Sequence, residues 1–304
     1  MNRRKFLQTS LGSLAASSLP SAATAQPLAM SALTNHNNPL FEISLAQWSL
    51  HRKLFMGSLK NIDFPKYCKD QFGITAVEYV NAFFKDKAKD KPYLTDLKKR
   101  TDDEGIRNVL IMCDGEGNIG ADTEEGRNKT VENHKKWVEA AQFLGCHSIR
   151  VNAHGGKGKE EAAKRVIEGL TKLSTFAKDF NINIIVENHG GYSSDGAWVK
   201  QVLSTVDMPN CGALPDFGNF HGYDRYQGIK DLLPFSKGIS AKSHHFNAEG
   251  EETKTDYTKA VNICLDGGYR GYIGIEWEGK GVSEEKGILL TKALLEKVRK
   301  NYGS

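Results

Sequence analysis

Eight short apolar runs recur about every 30 residues along this chain, and no other feature limits its fold so tightly. They are FEISLAQWSL near 41–50, AVEYVN near 76–81, RNVLIMCD near 107–114, HSIRVNAH near 147–154, INIIVENH near 182–189, CGALPDFG near 211–218, KGISAKSHH near 237–245 and GYIGIEWEG near 271–279. Each is bounded by Gly, Asn or Asp and is nearly continuous in hydrophobicity, the pattern of a strand buried on both faces of a parallel sheet. Amphipathic stretches separate them. In VENHKKWVEAAQFLG, Trp137, Ala141 and Leu144 share one helical face, and Gly145 is a natural stop. In AAKRVIEGLTKLSTFAKDF, the apolar set Val166, Leu170, Leu173 and Ala177 steps by four, three and four. DFPKYCKDQFG carries Asp63 as a cap, Pro65 in the first turn and Gly73 as the close. Eight strand-then-helix units predict one closed (β/α)8 barrel over residues 41–304, a fold that takes about 250 residues. An open doubly wound sheet would need a glycine-rich turn after its first strand, where this chain reads QWSLHRKLFMG.

Ahead of the barrel, MNRRKFLQTSLGSLAASSLPSAATAQ has a basic start, a weakly apolar middle and the small-x-small ending Ala23-Thr24-Ala25. That is the pattern of an export signal over residues 1–25, followed by a linker over 26–40. The pair Arg3-Arg4 before Phe6-Leu7 resembles the twin-arginine signal, and a periplasmic location follows as the expectation. Arg3, Arg4 and Lys5 supply three of the four excess positive charges of the whole chain, so the body is almost neutral and offers no footprint for nucleic acid. No later stretch approaches the roughly 18 apolar residues that a membrane span needs. Five scattered cysteines without a C-x-x-C pair do not form a disulfide framework and suit small core positions instead.

In an α/β barrel the C-terminal strand ends share one mouth, where chemistry collects. Here the fifth run ends in Glu187 with His189 beyond it, and the sixth in Asp216 with Asn219 and His221 following. The seventh ends in Lys242, His244 and His245, and the eighth in Glu276. Earlier runs bring Trp48 and His51, Glu78, Asp114, and Asn152 with His154. Three carboxylates and an imidazole converging from four neighbouring strands would repel and be costly to desolvate. One divalent cation would resolve that conflict. An oxygen-rich set with one nitrogen favours Mn²⁺ or Mg²⁺, with Co²⁺ or Zn²⁺ also suited.

At ENHGGYSSD, LPDFGNF, AKSHHF and GYIGIEWEG the chain resembles the xylose isomerase-like TIM barrels, the sugar phosphate isomerase/epimerase group. The resemblance extends over roughly residues 40 to 300. It implies one metal held by Glu187, Asp216, His244 and Glu276, with Glu187 and Glu276 doubling as acid and base in the manner of the ketose 3-epimerases. Trp48, Glu78, Asn152, His154, His189, Asn219, His221 and Lys242 are the candidates for holding a carbohydrate. The DNA-repair endonucleases of the group have a histidine where Asn219 stands, and histidine in place of Cys113-Asp114, so a three-zinc nuclease is not expected. Export argues for an unphosphorylated sugar, keto-sugar or polyol. The expected function is a metal-dependent isomerase or epimerase working through an enediolate. The alternatives are a lyase or hydratase on 3-keto-glycosides and a sugar-binding protein without turnover.

Overall fold

A computed structural model describes residues 39–303; the expected export signal and nearly all of the linker lie outside the described residues. The eight apolar runs become eight strands: β1 Glu42–Ala46, β2 Ala76–Val80, β3 Arg107–Met112, β4 Ser148–Asn152, β5 Asn183–Glu187, β6 Cys211–Leu214, β7 Ile239–Ser243 and β8 Tyr272–Trp277. Hydrogen-bonded neighbours follow the order β6-β5-β4-β3-β2-β1-β8-β7, and every named pairing is parallel. The cylinder closes between its two ends, where Lys237 N–H donates to the Ala213 carbonyl and Ser240 N–H to the Pro215 carbonyl. The expected barrel is the fold found.

Nine helices lie among the described residues: α1 His51–Phe55, α2 Phe64–Phe72, α3 Lys91–Asp103, α4 Glu124–Leu144, α5 Lys159–Lys178, α6 Gly196–Val206, α7 Arg225–Leu232, α8 Tyr257–Asp266 and α9 Glu284–Asn301. The short α1 is an extra turn between β1 and α2. On α5, Val166, Leu170, Leu173 and Ala177 are all fully buried, as their spacing predicts. Gly73 and Gly145 close α2 and α4 in the left-handed region, at φ +64° and +79°, where a side chain would be strained. Asp63 does not cap α2. It already lies in a 3₁₀ turn, Asn61–Asp63, with φ −97° and ψ −11°, so its carboxylate cannot fold back and instead meets Arg100 at 3.1 Å. All five cysteines are buried and free.

Two apolar layers result. The larger packs strands against helices, and a small one fills the barrel with Ala46, Val80, Leu110, Met112, Ile185 and Leu214. The rest of the interior is polar. Side chains alternate across a strand, so the inward set of β7 is Ser240 and Lys242, while the Ser243 hydroxyl bonds Thr291 on α9. Register then sets neighbours abreast at the mouth: Lys242 beside Glu276, Asn152 beside Glu187.

Candidate functional site

Glu187 ends β5, Glu276 lies near the end of β8, and Asp216 follows β6 by two residues. They are 1%, 4% and 0% exposed, and one oxygen from each lies within 4.8 Å of the others. Three buried carboxylates are therefore gathered at one point. Asp216 is fixed on every side. Its Oδ1 accepts from the backbone N–H of Gly218 at 2.6 Å and of Asn219 at 2.9 Å, and its backbone bonds both ends of the Asn188 amide. The Ser240 hydroxyl lies 2.9 Å from Asp216 Oδ2 and 2.8 Å from Glu276 Oε2. A hydroxyl carries one proton, so two ionised oxygens cannot both be satisfied there. Either a carboxyl holds a proton or a cation lies near.

The cation is Lys242, and burial also favours the protonated form of Asp216. Burial pushes the Glu187 and Asp216 carboxyls up to about 7, against the pull of Arg150 on the first and Lys242 on the second. Lys242, itself 2% exposed, brings its Nζ to 3.5 Å from Asp216 Oδ2, 3.2 Å from Glu276 Oε1 and 3.4 Å from Glu278 Oε2. Burial opposes its charge, but Asp216 and Glu276 keep the ammonium well above the ordinary lysine range. Arg150 from β4 lies across the other side, its Nε 2.9 Å from Glu187 Oε2 and its Nη1 2.8 Å from Asp114 Oδ1. The Nε–Oε2 contact is a charge contact rather than a formed hydrogen bond, since neither atom has a bonded partner. Burial works against ionising Asp114, yet Arg150 holds it down at about 2.

The three carboxylates could hold a metal ion. The fourth expected ligand is not with them. His244 lies one residue past the end of β7, where its N–H and that of His245 both donate to Glu252 Oε1. This turn carries the imidazole to the rim, its Nε2 3.6 Å from Glu278 Oε2. The inward position of β7 that reaches the cluster belongs to Lys242.

The other candidates divide by position. Asn219 donates its amide to Glu187 Oε1 at 3.2 Å, and Asn152 donates to Asp114 at 2.7 Å. His154 and His189 are half-buried at the ends of neighbouring loops, with His154 Nε2 3.3 Å from the His189 carbonyl. His221 is exposed in the turn beyond Asp216. Trp48 donates to Glu278 Oε1 at 2.6 Å and forms an aromatic wall with His51, Phe55 and Phe83 at centroid distances of 5.0, 6.0 and 6.1 Å. Arg150, Ser240 and Glu278 were not among the sequence candidates. A signal for them existed: Arg150 and Ser240 lie two residues before Asn152 and Lys242 on the same strand face, and Glu278 lies two residues after Glu276, just past the end of β8.

Glu78 is not at the open mouth. It is 1% exposed, takes a 2.5 Å bond from Ser44, and fills the space that a side chain at Gly274 would need. Burial raises its carboxyl to about 8, so the folded protein keeps a proton that the unfolded chain gives up above pH 4–5. A raised pKa stabilises below the unfolded value, and that stability is lost as pH climbs through the folded value. Glu78→Gln is therefore expected to flatten the loss of stability between pH 5 and 8 by a few kcal/mol, at about 1.4 kcal/mol per unit. Urea titrations of both proteins across that range measure it; identical slopes would refute it.

Residues 66–298 match the family described as the xylose isomerase-like TIM barrel. Among curated proteins, the chain is 27% identical over 130 residues to a probable endonuclease 4 of Thermotoga petrophila, covering 38% of this chain and 44% of that one. It is 32% identical over 66 residues to the C-glycoside deglycosidase alpha subunit of Arthrobacter globiformis, covering 22% and 19%. The chain thus spans less than half the length of either relative. Among solved structures it is similar to the IOLI protein with a bound zinc atom, at TM-score 0.71 and 16% identity, covering 87% of this chain and 100% of that one. Similar too are a 3-keto-D-glucoside 4-epimerase of E. coli (0.67, 15%, 84% and 99%) and a probable 3-DHS dehydratase of Bacillus anthracis (0.64, 15%, 86% and 100%). At such identities the structural likeness establishes the fold, and the match over residues 66–298 establishes the lineage: the chain belongs to the xylose isomerase-like TIM barrel family.

Proposed function

We propose that the protein is a sugar isomerase or epimerase that moves a proton at the carbon beside the carbonyl of an unphosphorylated sugar or keto-sugar. The observation that carries this reading is the buried set of Glu187, Asp216 and Glu276 at the barrel mouth, with two cations against it. A carboxyl near 7, as at Glu187, is close to half-protonated at neutral pH and can act as acid or base. One of the two glutamates takes the proton from carbon, and charge moves onto the former carbonyl oxygen. The ammonium of Lys242 and the guanidinium of Arg150 are fixed in place to stabilise that enediolate without reorganising. The other glutamate returns a proton, to the opposite face of the same carbon or to its neighbour. A divalent ion held by Glu187, Asp216 and Glu276 would supply Lewis-acid polarisation of the carbonyl in place of the Lys242 charge. Asn152, His154, His189 and Asn219 are the side chains we assign to the sugar hydroxyls. The Arg3-Arg4 signal supports a working place outside the cytoplasm, hence a substrate without phosphate.

A second reading has its own support. The wall of Trp48, Phe55 and Phe83 places an apolar surface beside Glu278, with Phe55 64% exposed. Such a surface suits the leaving group of a 3-keto-glycoside, which the same enediolate could expel. The local similarity to a C-glycoside deglycosidase subunit points the same way. Keto-sugars and 3-keto-glycosides incubated with the protein in D₂O, with and without Mn²⁺, separate the two. Deuterium beside the carbonyl with the glycoside intact is the expected result. Aglycone release establishes the second reading, and neither exchange nor release on any member of the panel removes both.

A further inference from the structure

We propose that the Lys242 ammonium is the resident cation of the Glu187–Asp216–Glu276 cluster, and that a divalent ion can enter only in competition with it. The inference rests on that cluster being the working site but not on the reaction assigned to it. Three observations carry it. First, Lys242 is the inward side chain of β7 at the level of Glu276, and its Nζ faces three carboxylates at 3.2–3.5 Å. An ammonium has three protons to give and no lone pair, so from this position it neutralises oxygens but cannot ligate an ion. Second, the imidazole that could have ligated is held at the rim by the turn on Glu252. Third, the lysine is seated rather than passing through. Gly218 lies flat against its stem, and a Cβ there would come within 3.0 Å of both Cγ and Cδ.

Arg150 lies against Glu187 and Asp114, and Lys242 against Asp216, Glu276 and Glu278, so each of the five acids has a cation within 3.5 Å although only two positive charges are present. A divalent ion seeks oxygens at about 2.0–2.6 Å and would share two or more of these with the ammonium. Like charges then repel among buried groups, where screening is weak, and the ion is admitted only as the lysine withdraws.

The test reads ion binding on the full chain without substrate, so a failed substrate screen leaves its result intact. Mn²⁺ and Zn²⁺ are titrated calorimetrically into wild-type protein and Lys242→Met, and metal content after dialysis is measured by mass spectrometry. Lys242→Met is expected to bind one Mn²⁺ per chain at least tenfold more tightly than wild type, and Asp216→Asn in that background should abolish the gain. Lys242→Gln, neutral but polar, should show the same gain and serves if the methionine variant does not fold. A gain below tenfold, a gain that survives Asp216→Asn, or wild-type protein that retains a full equivalent of ion through dialysis would each overturn the proposal.

Discussion

Glu276→Gln is expected to lower turnover by about 10²–10⁴-fold on any sugar that exchanges deuterium, with affinity for that sugar changed only a few-fold. Gln keeps the shape of the side chain but only one of its two oxygens, so it can meet either the Ser240 hydroxyl (2.8 Å from Oε2 in the wild-type protein) or the Lys242 ammonium (3.2 Å from Oε1), not both. What it loses is the capacity to carry a proton. Glu187→Gln should act similarly, since its one amide oxygen can still meet either Asn219 or Arg150, which face different oxygens of the glutamate. The two variants should differ in kind if the glutamates serve opposite faces of the carbon. One would then abolish exchange from a given epimer, while the other would permit exchange without forming product. Equal, small effects of both changes on turnover and on deuterium uptake would remove these residues from the chemistry.

Arg150→Met should be the most damaging single change to stability near the site. It leaves Glu187 fully buried without its counter-ion and releases Asp114 from the contact that holds it low. Breaking a buried pair from one side typically costs about 3–5 kcal/mol, because the remaining charge keeps its desolvation penalty. Asp114 adds less than its low pKa suggests, since its side chain is 38% exposed and solvent screens it. The sign with pH is definite. Glu187 already sits near 7 in the folded protein, and without Arg150 its pKa rises further, so the group is neutral in acid. The deficit of Arg150→Met should therefore be largest above neutrality and shrink as pH falls towards 5. Urea denaturation at pH 5, 7 and 9 checks both size and direction; a loss below about 1 kcal/mol at every pH would mean that the guanidinium is not paid for by its contacts.

The barrel was legible in the chain because its signals are local. Hydrophobic runs such as INIIVENH and the four-three-four stepping of Val166, Leu170, Leu173 and Ala177 follow from backbone geometry alone. Strand-end residues were legible for the same reason, once eight parallel strands placed their C-terminal ends at one mouth. Asp63 shows the limit even of local signals: the right residue preceded the helix, but a 3₁₀ turn had already set its backbone.

By itself, then, the sequence determined the fold and the strand ends from which Glu187, Asp216 and Glu276 converge, because periodicity and strand parity are properties of short stretches. Only the tertiary structure decided what neutralises them. That choice turns on contacts between distant elements: Arg150 against Glu187, Trp48 against Glu278 across 230 residues, and the Glu252 turn that draws His244 to the rim. The physical reason is that charge compensation in a buried cluster depends on which side chains reach a common point, and reach is set by packing and by the turn after a strand rather than by residue type or spacing.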